Sequence, residues 1–109
     1  MTPAYVAAKH AVVGLVKVAA LEGAAHGLTV NAVAPGLMLT PLIENQLADQ
    51  SRLRGLPPER VLERMVAEGP AGRAVETAEV ARLVAFLVSA ESSGISGAVI
   101  PVDLASLAW

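Results

Sequence analysis

At Gly27 the period of the sequence changes, and that change limits the folds open to the chain. Residues 3–26 place Val12, Val13, Leu15, Val16, Val18 and Leu21 round most of a helical cylinder, with Pro3 at a first-turn position and Gly27 where a C-terminal cap would fall. Such a helix is expected to be buried on several sides. Gly14, which costs about 1 kcal/mol relative to alanine mid-helix, predicts a close helix-helix contact there. Residues 28–34 are short, rich in β-branched side chains and stopped by Pro35-Gly36, as in a buried strand followed by a turn. Helix, glycine junction and strand make half of a βαβ unit, whose preceding strand is not among these residues.

Beyond Leu37 the pattern weakens, with a short helix expected after Thr40-Pro41 around Leu42, Ile43 and Leu47. This segment follows the strand's carboxyl end, where open α/β sheets bind ligands, so a lid and an ordinary surface connection are both open readings. Residues 57–68 read as an amphipathic helix started by Pro57-Pro58, with Val61, Leu62, Met65 and Val66 inward. Arg64, four before Glu68, is expected on a solvated outer face. Thr77 is the expected N-cap of a helix carrying Val80, Leu83, Val84, Leu87 and Val88. The last strand, 98–102, contains Pro101, which suggests an edge or a position whose donor is not needed. The class is therefore α/β, with a long first helix, two strands and three further helices. Two strands are too few for a free-standing sheet.

Composition points the same way. Hydrophobic residues make up 54% of the 109 and charged ones 17%, against about 25% charged in an average soluble domain. A small chain exposes a large share of its surface, so this excess implies that partner subunits or further parts of the fold cover it. No cysteine is present, the net charge is −2 without a basic cluster, and one each of Trp, Tyr and Phe is present; a disulfide scaffold and nucleic-acid binding are disfavoured. Lys9, Lys17 and Glu22 interrupt the most apolar region, so no membrane span is expected, and the first residues lack the pattern of a signal peptide. A soluble cytoplasmic protein is the expectation. His10 and His26 have no acidic cluster near them in sequence and make no metal site.

Chemistry enters at Tyr5 and Lys9. Four residues apart on a helix, they project from one face one turn apart and can serve a single bound molecule. A phenol is a poor acid or base at neutral pH, and an adjacent cation favours its phenolate form. Alone, the spacing equally describes a half-buried aromatic beside a solvated charge.

Three motifs in order change that weighting. Tyr5 to Lys9 forms YxxxK; Asn31-Ala32-Val33-Ala34-Pro35-Gly36 is followed by Thr40-Pro41; and Ser96-Gly97-Ala98-Val99-Ile100-Pro101-Val102-Asp103 closes the chain's last strand. In this the chain resembles the C-terminal half of a short-chain dehydrogenase/reductase, over essentially all of its length. The resemblance implies the C-terminal half of a Rossmann-type doubly wound parallel sheet, the catalytic half of the domain without its N-terminal cofactor-binding half. It implies a hydride exchanged between NAD or NADP and a secondary alcohol or ketone, with Tyr5 as general acid/base and Lys9 on the ribose hydroxyls. It also implies cofactor contacts at Pro35, Gly36, Met38 and Thr40, although Pro35-Gly36 as a plain turn and Thr40 as a plain cap stay open. A dimer or tetramer through the first helix is the implied assembly.

Within the family, the stretches from Ala4 to His10 and from Thr40 to Gln46 look most like D-3-hydroxybutyrate dehydrogenases. That likeness implies substrate contacts at Gln46 and Leu37. Leu37 replaces a Trp of those enzymes and Thr2 a carboxylate-binding Lys, and an apolar or uncharged residue holds a desolvated carboxylate poorly. Asp103-Leu104-Ala105 stands where the family has Asp-Gly-Gly. The family's GxxxGxG turn and its catalytic Ser and Asn are not among the 109 residues, so the chain alone is expected to be inactive. A non-enzymatic assembly module that keeps the oligomerisation helices is the alternative.

Overall fold

The computed structural model describes residues 3–108. The elements run α1 (Pro3–Ala24), β1 (Ala32–Pro35), α2 (Pro41–Arg54), α3 (Pro58–Ala67), α4 (Thr77–Leu87) and β2 (Val99–Val102), with a 3-10 turn at Ala90–Ser92. They form two compact units. One takes the chain up to Ala34 together with Ala81–Pro101; the other takes Pro35–Val80 and the chain from Val102 onward. Thr2 lies outside the described residues.

In the first unit the expected glycine junction is present. The Gly23 carbonyl accepts from the N–H groups of His26 at 2.9 Å and Leu28 at 3.1 Å, and Gly27 takes φ +69°, which terminates α1 in a left-handed turn. Gly23 is buried, and a Cβ there would stand 3.1 Å from that of Leu28.

β1 and β2 hydrogen-bond to each other in a two-stranded sheet. Gly97 N–H donates to the Val30 carbonyl at 2.7 Å and Ala32 N–H to that of Ala98 at 2.9 Å. The bonds slant the same way along both strands, as in a parallel pair. Two successive donors, those of Gly97 and Ala98, meet the start of β1, one more than the ladder can use. The Asn31 side chain absorbs the extra residue: its Oδ1 accepts from Ala98 N–H at 3.1 Å and its Nδ2 donates to the Ile95 carbonyl at 2.8 Å. Because the Ala98 carbonyl faces β1 and strand groups alternate, the missing N–H of Pro101 points away from β1, where no donor is needed.

Burial departs from the sequence expectation. In α1 only Ala20 and Gly23 are buried, while Leu15 is 69% and Leu21 79% exposed. No atom comes within 4 Å of a Cβ placed on Gly14, so among the described residues it makes no close approach. Leu28 and Thr29 are exposed, and β1 is at most half-buried. The charges also interrupt α1 less than expected. Its 22 residues hold an 18-residue window of mean hydropathy 1.5 with no more than two charged residues, and so are long and apolar enough to cross a membrane by length and composition. The local seal is at the other end of the unit. Ser92 is 1% exposed, and its hydroxyl donates to the Leu87 carbonyl at 2.9 Å, satisfying the C-terminus of α4.

In the second unit Thr40 caps α2, its Oγ1 accepting from Ile43 N–H at 3.4 Å with Pro41 in the first turn. α2 runs 14 residues, longer than the short helix expected, and ends at Gly55 with φ +63°. Ser51 fixes the exit, its hydroxyl donating to the Leu56 carbonyl at 2.6 Å. Gly55, Leu56 and Pro57 turn the chain into α3, and the α2–α3 hairpin closes over Leu47 and Val61, 7% and 2% exposed. The next helix begins one residue early. Thr77 is its first residue instead of its cap, and Glu76 N–H donates back to Glu79 Oε2 at 2.9 Å. Arg73 grips the same carboxylate with two bonds of 2.8 Å, and this hydrogen bonding raises the guanidinium pKa.

Candidate active site

The first unit presents Tyr5 and Lys9. Both lie on the first turns of α1, and the Lys9 Nζ stands 5.4 Å from the Tyr5 ring centroid. The four-residue spacing thus brings the pair together, as the sequence implied. Tyr5 is 57% exposed. Neither the phenol oxygen nor the ammonium hydrogen-bonds another described residue, so both polar ends are open to a bound molecule. The next residue is spent locally, with His10 Nδ1–H donating to the Val6 carbonyl at 2.9 Å.

The second unit presents Pro35, Gly36, Leu37, Met38, Thr40 and Gln46. Its backbone is tied at successive points: Gly36 N–H donates to the Val102 carbonyl at 3.1 Å, and the Leu37 carbonyl accepts from Val75 N–H at 2.7 Å. Met38 forms a parallel bridge with Val75, which is 4% exposed. A Cβ on Gly36 would lie 2.9 Å from the Asp103 Cα, so the residue here must be glycine for an intramolecular reason. Pro35 is exposed, Leu37 and Met38 are half-buried, and the Thr40 hydroxyl is used as the helix cap.

Gln46 lines a cavity of about 370 Å³ between α2 and α3. Gln50 and Arg54 of α2 join it from one side, and Val61, Arg64 and Met65 of α3 from the other. Arg64 and Glu68 are both exposed, on the solvated outer face that the sequence predicts. The ion pair present on α3 is Arg60 with Glu63 at 2.7 Å, and the Arg64 guanidinium bonds no described residue. Arg54 and Arg64 line this cavity, although sequence reading names neither as a candidate site residue. The signal available was spacing: Gln46, Gln50 and Arg54 recur every four residues, which puts three long polar side chains on one face of α2.

Against families of known proteins, residues 1–104 match the model described as Enoyl-(Acyl carrier protein) reductase. The D-beta-hydroxybutyrate dehydrogenase of Rhizobium meliloti is 42% identical over 101 residues, 92% of this chain and 39% of that enzyme. Among solved structures, a short chain dehydrogenase family protein from Francisella tularensis superimposes with a TM-score of 0.94 at 30% identity, over 100% of this chain and 46% of that one. An actinorhodin polyketide ketoreductase solved with NADPH gives a TM-score of 0.87 at 34% identity, over 96% of this chain and 40% of that one. The chain thus spans less than half the length of each of these relatives.

Proposed function

The chain belongs to the short-chain dehydrogenase/reductase family, and on that footing we propose that it forms the catalytic half of an oxidoreductase acting on a secondary alcohol or ketone. NAD or NADP, when bound, supplies the site that accepts or gives the hydride. The residues here do the rest. Tyr5, as the phenolate, takes the hydroxyl proton of the alcohol and becomes the phenol, which in the reverse direction returns that proton to the carbonyl oxygen. Lys9, one turn on, places a positive charge beside that oxygen and donates to the ribose hydroxyls. The tied backbone from Pro35 through Met38, with Thr40 after it, lines the cofactor side, while Leu37 and Gln46 meet the substrate. A 3-hydroxy acid such as 3-hydroxybutyrate is the substrate reading, supported by the likeness to the Rhizobium enzyme. The assembly reading is a dimer or tetramer through α1.

The observation that carries the proposal is the Tyr5–Lys9 pair on the first turns of α1, the ammonium over the phenol ring and neither polar head hydrogen-bonded to another described residue. Its fit to a nicotinamide cofactor rests on that openness, because a phenol and ammonium locked in internal hydrogen bonds would have nothing to offer ribose or substrate. Tyr5→Phe keeps the ring and removes the proton carrier. In a protein complemented with the remainder of the fold, it should lower turnover at least a hundredfold, in line with the ~10²–10⁴-fold of general acid-base catalysis. Retained turnover would remove Tyr5 from the mechanism.

The exposed apolar length of α1 favours a second reading, a non-enzymatic module that assembles through that helix. The same variant discriminates: unchanged partner binding, with no turnover in either protein, supports the module.

A further inference from the structure

The Ala98 carbonyl accepts from Ala32 N–H and the Val102 carbonyl from Gly36 N–H, so alternate residues of this stretch turn their backbone groups to β1. Those of Val99 and Pro101 turn the other way. The sheet has two strands, so among the described residues no third strand meets that outer edge. An unpaired edge is a template for another chain. The sequence here invites one: Ala98-Val99-Ile100 is apolar and largely β-branched, no charged residue stands between Glu91 and Asp103, and Val99 is 40% exposed. The edge therefore lacks the lysine or glutamate that commonly protects such a strand.

Pro101 protects it in their place. A pairing strand exchanges an N–H and a C=O with every second residue, here Val99 and Pro101. Val99 has both groups. Pro101 has only its carbonyl, and its ring fills the place where a partner's carbonyl would come. A strand laid on this edge would lose one of two donors and bury an acceptor without a partner. A second copy would lose twice over, since the same edge serves both sides of a two-fold pair. β1 differs. Its Ala32 N–H faces β2, so that of Val33 faces away, and the free edge of β1 keeps a donor in mid-strand.

We propose that Pro101 closes the outer edge of β2 to strand pairing with a second copy of this chain, so that the sheet can be extended only beside β1. The proposal is independent of hydride transfer, because Pro101 has no part in the proposed chemistry.

The test compares the 109-residue chain with Pro101→Thr by sedimentation and by NMR-detected amide hydrogen exchange over a concentration series. Threonine restores the N–H and suits a strand. The variant should associate at a concentration about tenfold or more below that of the parent, because each side of a two-fold pair regains a hydrogen bond. Exchange at the Val99 amide should slow with concentration in the variant alone. Val33 reports the opposite edge, so association through β1 or α1 leaves Val99 unmoved. Pro101→Lys restores the same donor but sets like charges beside each other, and should behave as the parent does. A Val99 amide that slows equally in parent and Pro101→Thr, or in neither, would overturn the proposal. So would a Pro101→Lys chain that associates as readily as Pro101→Thr, since the association would then not be edge pairing. Variants whose amides lose their dispersion would overturn it as well, because the proline would then be holding β2 itself and not guarding its edge.

Discussion

Leu104 and Ala105 both take positive φ, 55° and 66°, in a turn that Asp103 organises. Its Oδ1 accepts from Ala105 N–H at 3.1 Å and its Oδ2 from Leu107 N–H at 3.2 Å, while its carbonyl accepts from the Ser106 hydroxyl at 2.6 Å. The left-handed region costs an L-residue roughly 1–2 kcal/mol because Cβ crowds the following carbonyl. The family resemblance implies glycine at both positions, so the departure seen in sequence becomes local strain held by the Asp103 bonds. Ala105 is exposed and gives up no buried surface when shortened, whereas Leu104 is half-buried. Ala105→Gly should therefore stabilise the chain by about 0.5–1 kcal/mol, the relief of strain less the greater freedom of glycine in the unfolded chain. Urea unfolding checks it, and a midpoint that stays or falls means that the turn is unstrained.

At the scale of elements, what could be read in advance was whatever depends on local chain chemistry. The Gly27 turn, the Thr40-Pro41 start of α2 and the Pro57-Pro58 start of α3 each depend on a residue's own φ preference or cap, and the structure has all three. What could not be read depends on neighbours. β1 begins at Ala32 instead of Leu28, because the extra residue at Gly97 and Ala98 makes the Asn31 side chain, and not the ladder, the bonding group there. Burial of α1 could not be read either, since an apolar surface states a need for cover without supplying it. Ser92 stands in a run of serine and glycine, Ser92-Ser93-Gly94, whose composition reads as a loop, yet it is among the most buried of the described residues. A serine in a Ser/Gly run carries no mark of the carbonyl it will meet five residues back. Ser92→Ala leaves the Leu87 carbonyl short of a donor in a closed site, and should cost about 1–2 kcal/mol, read as a lower thermal midpoint. A midpoint equal to that of the parent chain would mean that water replaces the hydroxyl.

For the whole molecule the governing fact is how little of its apolar content is covered. The buried apolar residues described are Ala20, Leu47, Val61 and Val75, one in the first unit and three in the second, while fourteen large apolar side chains, Tyr5, Leu15 and Leu21 among them, are exposed. A nicotinamide cofactor in this family needs more than the Tyr5–Lys9 end of α1. Its pyrophosphate needs backbone N–H groups at a glycine-rich helix start, and no GxxxGxG turn occurs in the 109 residues. Lys9 alone offers the ribose one charge-assisted bond in water, worth too little to offset the entropy of holding a dinucleotide. Calorimetry of the chain with NADH should therefore give no saturable heat up to about 1 mM, the top of the ordinary KM range. A saturable heat below that concentration, abolished by Lys9→Ala, would mean that the first turns of α1 bind the dinucleotide without a pyrophosphate cradle. The division of labour proposed here would then have to be redrawn around Lys9.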